Sequence, residues 1–153
     1  MYAIQPLPTG CFNGRFVRYI DEIVEPTVKD FENNPNSVRH AFLACVAVFH
    51  SVDYLAFPRE PAQKFRQEFG KKSTVFKIVD DVAHAFKHVT AGNRKNPNLK
   101  AKEVISKEGG AFSNGFNDGF DIGKARVTFS ADPSLNILDT VKSAVEFLRR
   151  QIK

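Results

Sequence analysis

The 153-residue chain has no Trp, one Met and two Cys. Cys11 and Cys45 show no CxxC spacing, so neither a zinc site nor a disulfide framework is signalled, and both read as reduced thiols. No stretch reaches the ~18 consecutive apolar residues of a membrane span. The opening MYAIQPLPTG lacks a basic start followed by an apolar run, which leaves a cytoplasmic protein with no membrane partner as the expectation. Charge of one sign is not concentrated either. The formal net charge is +5, but Lys and Arg are spread from Arg15 to Lys153, with clusters only at 71–72, 94–107 and 149–153. That balance permits RNA contact through dispersed basic residues without demanding it. Also missing are GxSxG, HExxH and a glycine loop ending in GK[ST]. No signature remains for a nucleophilic hydrolase, a zinc protease or a phosphate cradle, and no cofactor is implied.

What is present suits one ordinary domain, residues 1–153, able to bury about two-thirds of its unfolded surface without staples. With 15 Phe, the core is filled by Phe, Val, Ile, Leu and Ala. The expected architecture is mainly α: a bundle of four to five helices, with a small antiparallel β meander at 101–130 before the C-terminal helix.

The stretch 41–57, AFLACVAVFHSVDYLAF, organises the rest, because its first nine residues are apolar on every side of a helix. Such a helix is buried. Asn36 or Ser37 can cap it, and Pro58 with Pro61 stops it. Before it, Pro6, Pro8, Gly10 and Gly14 make residues 1–14 an irregular arm. Phe16, Tyr19, Ile20, Ile23 and Val24 then form one helical stripe that Pro26 kinks or ends, with a short piece to follow through Phe31. Residues 62–69 read as a connecting helix ended by Gly70, and Ser73 as the cap of an amphipathic helix over 74–89. Ala91-Gly92 ends that helix and 93–100 is a loop. In GGAFSNGFNDGFDIG, Phe112, Phe116 and Phe120 alternate with the turn dipeptides Asn114-Gly115 and Asp118-Gly119, which predicts short strands. An amphipathic helix over 136–152 closes the chain.

Two helices carry side chains able to do chemistry. His50 and Asp53 stand one turn apart, with Ser51 further round. On the amphipathic helix Asp81, His84 and His88 stand at i, i+3 and i+7, with Lys87 beside them. The binding candidates are therefore His50, Asp53, Asp81, His84 and His88, and the catalytic candidates His84, Lys87 and His88. A metal, if one bound, would take His50 with His84 or His88, as helical bundles build sites from facing side chains. The plainer reading is a structural polar network in which His88 or Lys87 answers a buried Asp53.

DVAHAFKH at 81–88, with HSVD before it and GAFSNGFNDGFDIG after it, resembles an uncharacterised family of small bacterial and phage-associated helical proteins. Asp81, Ala83, Lys87 and His88 match its D-x-A-x-x-x-K-H helix. The resemblance covers most of the chain from about Ser37 onward and implies a fold without an established activity. More distantly, AHAFKH is similar to the R-N-x-x-x-H helix motif of the HEPN superfamily of helical nucleotide-binding and RNA-cleaving domains. His88 takes the catalytic His position, His84 the Asn position, and Ala83 stands where that motif has Arg. The function expected first is that of a non-catalytic binding or regulatory protein, with self-association as a partner option. A HEPN-like ribonuclease or RNA binder comes second and a metal-binding bundle third.

Overall fold

Phe16, Ile20, Val24, Val28 and Phe31 recur at three and four residue spacings, and each is at most 5 % exposed. That single stripe runs the length of the first helical rod in a computed structural model of the chain, which describes residues 11–58, 61–92, 95, 97–108 and 125–152. The rod comprises α1 (Cys11–Tyr19), a wider π turn (Ile20–Val24) and α2 (Glu25–Asn33). Residues 11–14 are thus helical and not part of an irregular arm. Nor does Pro26 break the rod. Its ring lies in the first turn of α2, directly after the π turn, where the Glu25 amide reaches back to the Ile20 carbonyl. A widened turn gives the proline ring room beside the preceding carbonyls, and the first turn of a helix tolerates a missing N–H.

Ser37 caps α3 (Val38–Ala56) by accepting the His40 amide at 3.3 Å. This helix packs against α1, α2 and all three of the helices that follow it, and so occupies the centre of the bundle. Ala41, Ala44, Cys45, Val48 and Val52 are wholly enclosed. Leu43 is the exception at 45 % exposure, so the apolar surround is not buried on every side. At the surface it shares its character with Phe86, also 45 % exposed, whose ring lies against Phe42.

Helix α4 (Ala62–Lys72) passes through Gly70 instead of ending there. A side chain at Gly70 would meet Lys77 Cδ at 3.2 Å, so the glycine serves a close approach to the next helix. The extended residue between the two helices is Ser73, whose hydroxyl accepts the Phe76 amide and starts α5 (Thr74–His88). Phe69, Phe76 and Phe147 meet edge to face or tilted, which ties α4 and α5 to α6 (Ile137–Arg150). Around the rim, Lys142 pairs with Glu32, and Arg149 bonds Asp21 at 2.7 Å and Glu25 at 3.2 Å. Lys142 and Lys29 hold the Glu32 carboxyl down at about 2.

Beyond α5 the chain departs from the expected loop. Val89, at φ 70, takes the left-handed conformation that glycine usually supplies past a helix end. It turns the backbone into β1 (Thr90–Gly92), which pairs antiparallel with β2 (Pro97–Lys100). Ala91 and Leu99 face each other and are buried, so an apolar pair turns this polar stretch into a hairpin. A second antiparallel pair joins β3 (Val104–Lys107) to β4 (Arg126–Phe129), with Val104 opposite Phe129. Among the described residues the β region is therefore two separate two-stranded sheets. The dipeptides Asn114-Gly115 and Asp118-Gly119 lie outside the described residues. The architecture is mainly α with small antiparallel β elements before the last helix.

Exposure separates two substitutions that hydropathy alone would rank together. Phe76→Ala, at a fully enclosed ring, should cost about 3–5 kcal/mol. Leu43→Ala should cost less than about 1 kcal/mol, since little of its contact is in the core. Urea denaturation midpoints of the two variants against the parent measure both.

Candidate functional site

The last two turns of α3 keep Val52, Leu55 and Ala56 in the core and turn their other face to the surface. His50, Asp53, Tyr54 and Phe57 fall at i, i+3, i+4 and i+7, one stripe of a helix, and all four are partly or largely exposed. Opposite them, Arg15 and Tyr19 stand one turn apart on α1. Together these six residues line a cleft of about 530 Å³. Tyr19 and Tyr54 stack at 4.3 Å between centroids, and the Arg15 guanidinium lies 5.5 Å from the centroid of Phe57. The Tyr19 hydroxyl donates to the Ala47 carbonyl at 3.1 Å. Burial, followed by the neighbouring Tyr54 and Asp53, pushes its phenol up to about 12. Tyr19 is thus a neutral, anchored wall.

Asp53 sits at the side of this cleft and is not buried, with 46 % of its side chain exposed. Neither His88 nor Lys87 answers it. One oxygen accepts from His50 Nδ1 at 2.9 Å and the other from Arg66 Nη1 at 3.2 Å. A carboxylate can only accept, so His50 carries its proton on Nδ1 when neutral and presents Nε2 as an acceptor.

Phe49, enclosed to 4 % exposure, is the hub between the two chemistry-bearing helices. His50 and His84 each meet its ring edge-on at 5.0 Å, Arg66 lies 4.3 Å over it, and Lys87 Nζ is 5.4 Å away. Arg66 was not expected from the sequence, because α4 shows no motif. The one available signal was its position on a short helix directly after the residues of interest.

Beyond Arg66 lies a second cavity of about 710 Å³, lined by Arg66, Lys71, Lys77, Asp80, Asp81 and His84 among others. His84 Nδ1 donates to the Asp80 backbone carbonyl at 3.0 Å, which again leaves Nε2 as the open nitrogen. Its Nδ1 is also 3.6 Å from Asp80 Oδ1, an enclosed oxygen with no hydrogen-bond partner among the described residues. Burial raises the Asp80 carboxyl above its ordinary range, against the opposing pull of His84 and Lys77. Asp81, which lines the same cavity, pairs with Lys77. The His88 ring is 6.2 Å from His84 and exposed. Ala83 is fully buried, so the position that the HEPN motif gives to Arg faces the core.

The sequence candidates thus divide. His50, His84 and Lys87 gather around Phe49, Asp53 joins His50, and Asp81 and His88 stand apart. Among the described residues no three His, Cys, Asp or Glu side chains come together as metal ligands. Cys45 is buried, and desolvation pushes its thiol far up, away from nucleophile chemistry. No helix of the described residues is long and apolar enough to cross a membrane. No protein family, curated protein or solved structure matches the chain.

Two stability outcomes follow from these environments. Asp53→Ala should change stability by less than about 1 kcal/mol in urea denaturation, because a half-exposed ion pair is screened by water. For Asp80 the folded protein holds the proton more tightly than the unfolded chain does. Its contribution is therefore fully present below the unfolded carboxyl value of about 4 and is lost as pH rises through the higher folded value. Asp80→Asn should accordingly be more stable than the parent at neutral pH, and thermal melts should converge below about pH 4.

Proposed function

We propose that this chain is a non-catalytic binding protein whose ligand, or part of a larger ligand, is a planar group seated in the cleft between α1 and the end of α3. The observation that carries this reading is the wall composition. Tyr19, Tyr54 and Phe57 supply aromatic surface, while Arg15, His50 and Asp53 supply polar groups at defined places in about 530 Å³. Ligand sites are typically concave, of roughly 300–1,000 Å³, and mostly apolar with a few convergent polar groups. Tyr54 at 40 % and Phe57 at 60 % exposure are large apolar side chains left to water beside that cleft.

Among the described residues that line the cleft there is no Ser, Thr, Cys or Lys. Ser51, the nearest hydroxyl on α3 besides Tyr54, is enclosed and donates to the Val48 carbonyl at 2.6 Å. A ribonuclease reading through His84 and His88 lacks a cation at Ala83 to steady the phosphate charge of a transition state. The polar network around Phe49 fits a supporting role, since it sets the orientation of His50 and Asp53 from behind.

The test is a titration of isotope-labelled protein with small aromatic fragments, indole and phenylacetate among them, followed by amide chemical shifts. The expected result is a set of shifts confined to residues 15–19 and 50–57 that disappears in the Tyr54→Ala, Phe57→Ala double variant. Fragments that move only other regions, or none, would sink the proposal.

A further inference from the structure

We infer that the cleft takes a nucleotide unit, with its base stacked on Tyr54 and Phe57 and its phosphate held by Arg15. The inference rests on the binding reading above and adds the ligand's chemical class. An aromatic-walled cleft with a carboxylate could serve two opposite ligands. A quaternary ammonium would use the rings as a cage and Asp53 as its counter-ion. A nucleotide would use the rings as a stacking platform and a cation for its phosphate.

The placement of charge decides between them. Both oxygens of Asp53 are already engaged, one by His50 and one by Arg66, so the carboxylate offers little uncompensated charge to a cation. Arg15 already lies 5.5 Å from the Phe57 centroid and takes the place a cation would use, while the ring remains 60 % exposed to a planar base. For an anion the same arrangement is favourable. Arg15 is exposed, forms no ion pair among the described residues, and is held beside an exposed ring. A planar base has further partners there: the Nε2 acceptor of neutral His50 suits an exocyclic amine, and the Tyr54 hydroxyl can give or accept a bond. The chain's formal net charge of +5 favours the approach of a phosphate-bearing ligand from any direction.

A base with its phosphate can arrive as a free nucleotide or as part of a single strand. Fluorescence anisotropy of a fluorescein-labelled single-stranded RNA decamer, competed with AMP and with adenosine, separates the two. Either source should lose about tenfold in affinity on Tyr54→Ala and again on Phe57→Ala, since stacking on an aromatic side chain is sequence-tolerant and of that order. Arg15→Gln should weaken decamer binding and reduce the slope of log affinity on log salt by about 0.7, the loss of one phosphate contact to a single strand. AMP binding as tightly as the decamer, with adenosine much weaker, assigns the free nucleotide. A decamer that binds while AMP does not compete assigns the strand.

Decamer binding untouched by Tyr54→Ala, Phe57→Ala and Arg15→Gln, with folded variants by circular dichroism, overturns the inference. So does failure of both decamer and AMP to bind. In that case amide shifts in the cleft with indole would leave the binding reading standing, and their absence would remove both.

Discussion

Burial of α3 is the constraint from which the rest follows. A helix with apolar residues on every side over its first turns cannot lie on a surface without exposing a large contiguous patch, so the other helices must cover it. They do so unevenly. α3 (Val38–Ala56) stays in the core to its last turn, where Val52, Leu55 and Ala56 are buried, but there the cover closes over one face only. The uncovered face carries His50, Asp53, Tyr54 and, just past the helix, Phe57. The candidate site is therefore the open face at the end of the core helix, which gives its side chains a rigid base and open access at once.

The opposite wall depends on a local irregularity in the first rod. The π turn at Ile20–Val24 adds a residue to one turn, which shifts the phase of everything N-terminal to it relative to α2. Both halves still bury their apolar residues: Phe16 and Ile20 on one side, Val28 and Phe31 on the other, are all at most 5 % exposed. An uninterrupted α-helix continuing from Pro26 would carry Arg15 and Tyr19 further round. The π turn lets the rod hold Tyr19 against Tyr54 without giving up the core contact of α2. Such one-turn widenings are frequent at functional sites, and here the geometric effect on the cleft wall is specific.

Much of this was legible in the residues. Ser37 and Ser73 act as the caps their positions suggested, because a hydroxyl before an apolar periodic run meets the orphan amides of the first turn. The helical periodicity of the first and fifth helices was legible because it is a property of the chain alone: Phe16, Ile20, Val24, Phe76, Val79 and Val82 are buried, although Ile23 of the expected stripe is 47 % exposed. Leu43 misled for the complementary reason: periodicity shows that a side is apolar, whereas the size of the neighbours decides whether it is covered. Gly70 and Pro26 misled because a helix breaker is tolerated where a neighbouring helix approaches closely or a turn widens. The hairpin of β1 (Thr90–Gly92) and β2 (Pro97–Lys100) was hidden because its apolar content is one small pair, Ala91 and Leu99. The site was half visible. His50 and Asp53 stood out by chemistry, but Tyr54 and Phe57 carry no motif, and Arg15, Tyr19 and Arg66 come from elements whose relative placement no local pattern encodes.

The Asp53 and Arg66 pair explains why two neighbouring cavities differ in kind. At half exposure the ion pair is worth at most about 1 kcal/mol, so it cannot by itself hold the boundary between them. Arg66 is fixed mainly by its guanidinium lying 4.3 Å over the buried Phe49 ring, a contact shielded from water on one side. That fixed cation then neutralises Asp53 on the aromatic side and, on the other, lies close enough to Asp80 to oppose the effect of burial on its carboxyl. The aromatic cleft is left with Arg15 as its uncompensated charge. The second cavity is left with an enclosed carboxylate oxygen that has no donor among the described residues and cations already engaged, Lys71 with Glu68 and Lys77 with Asp81. A cavity whose charges are answered from within has little free energy to gain from an anion. The open guanidinium beside exposed aromatic rings has more, and for that physical reason the cleft between α1 and α3 is the stronger site of the two.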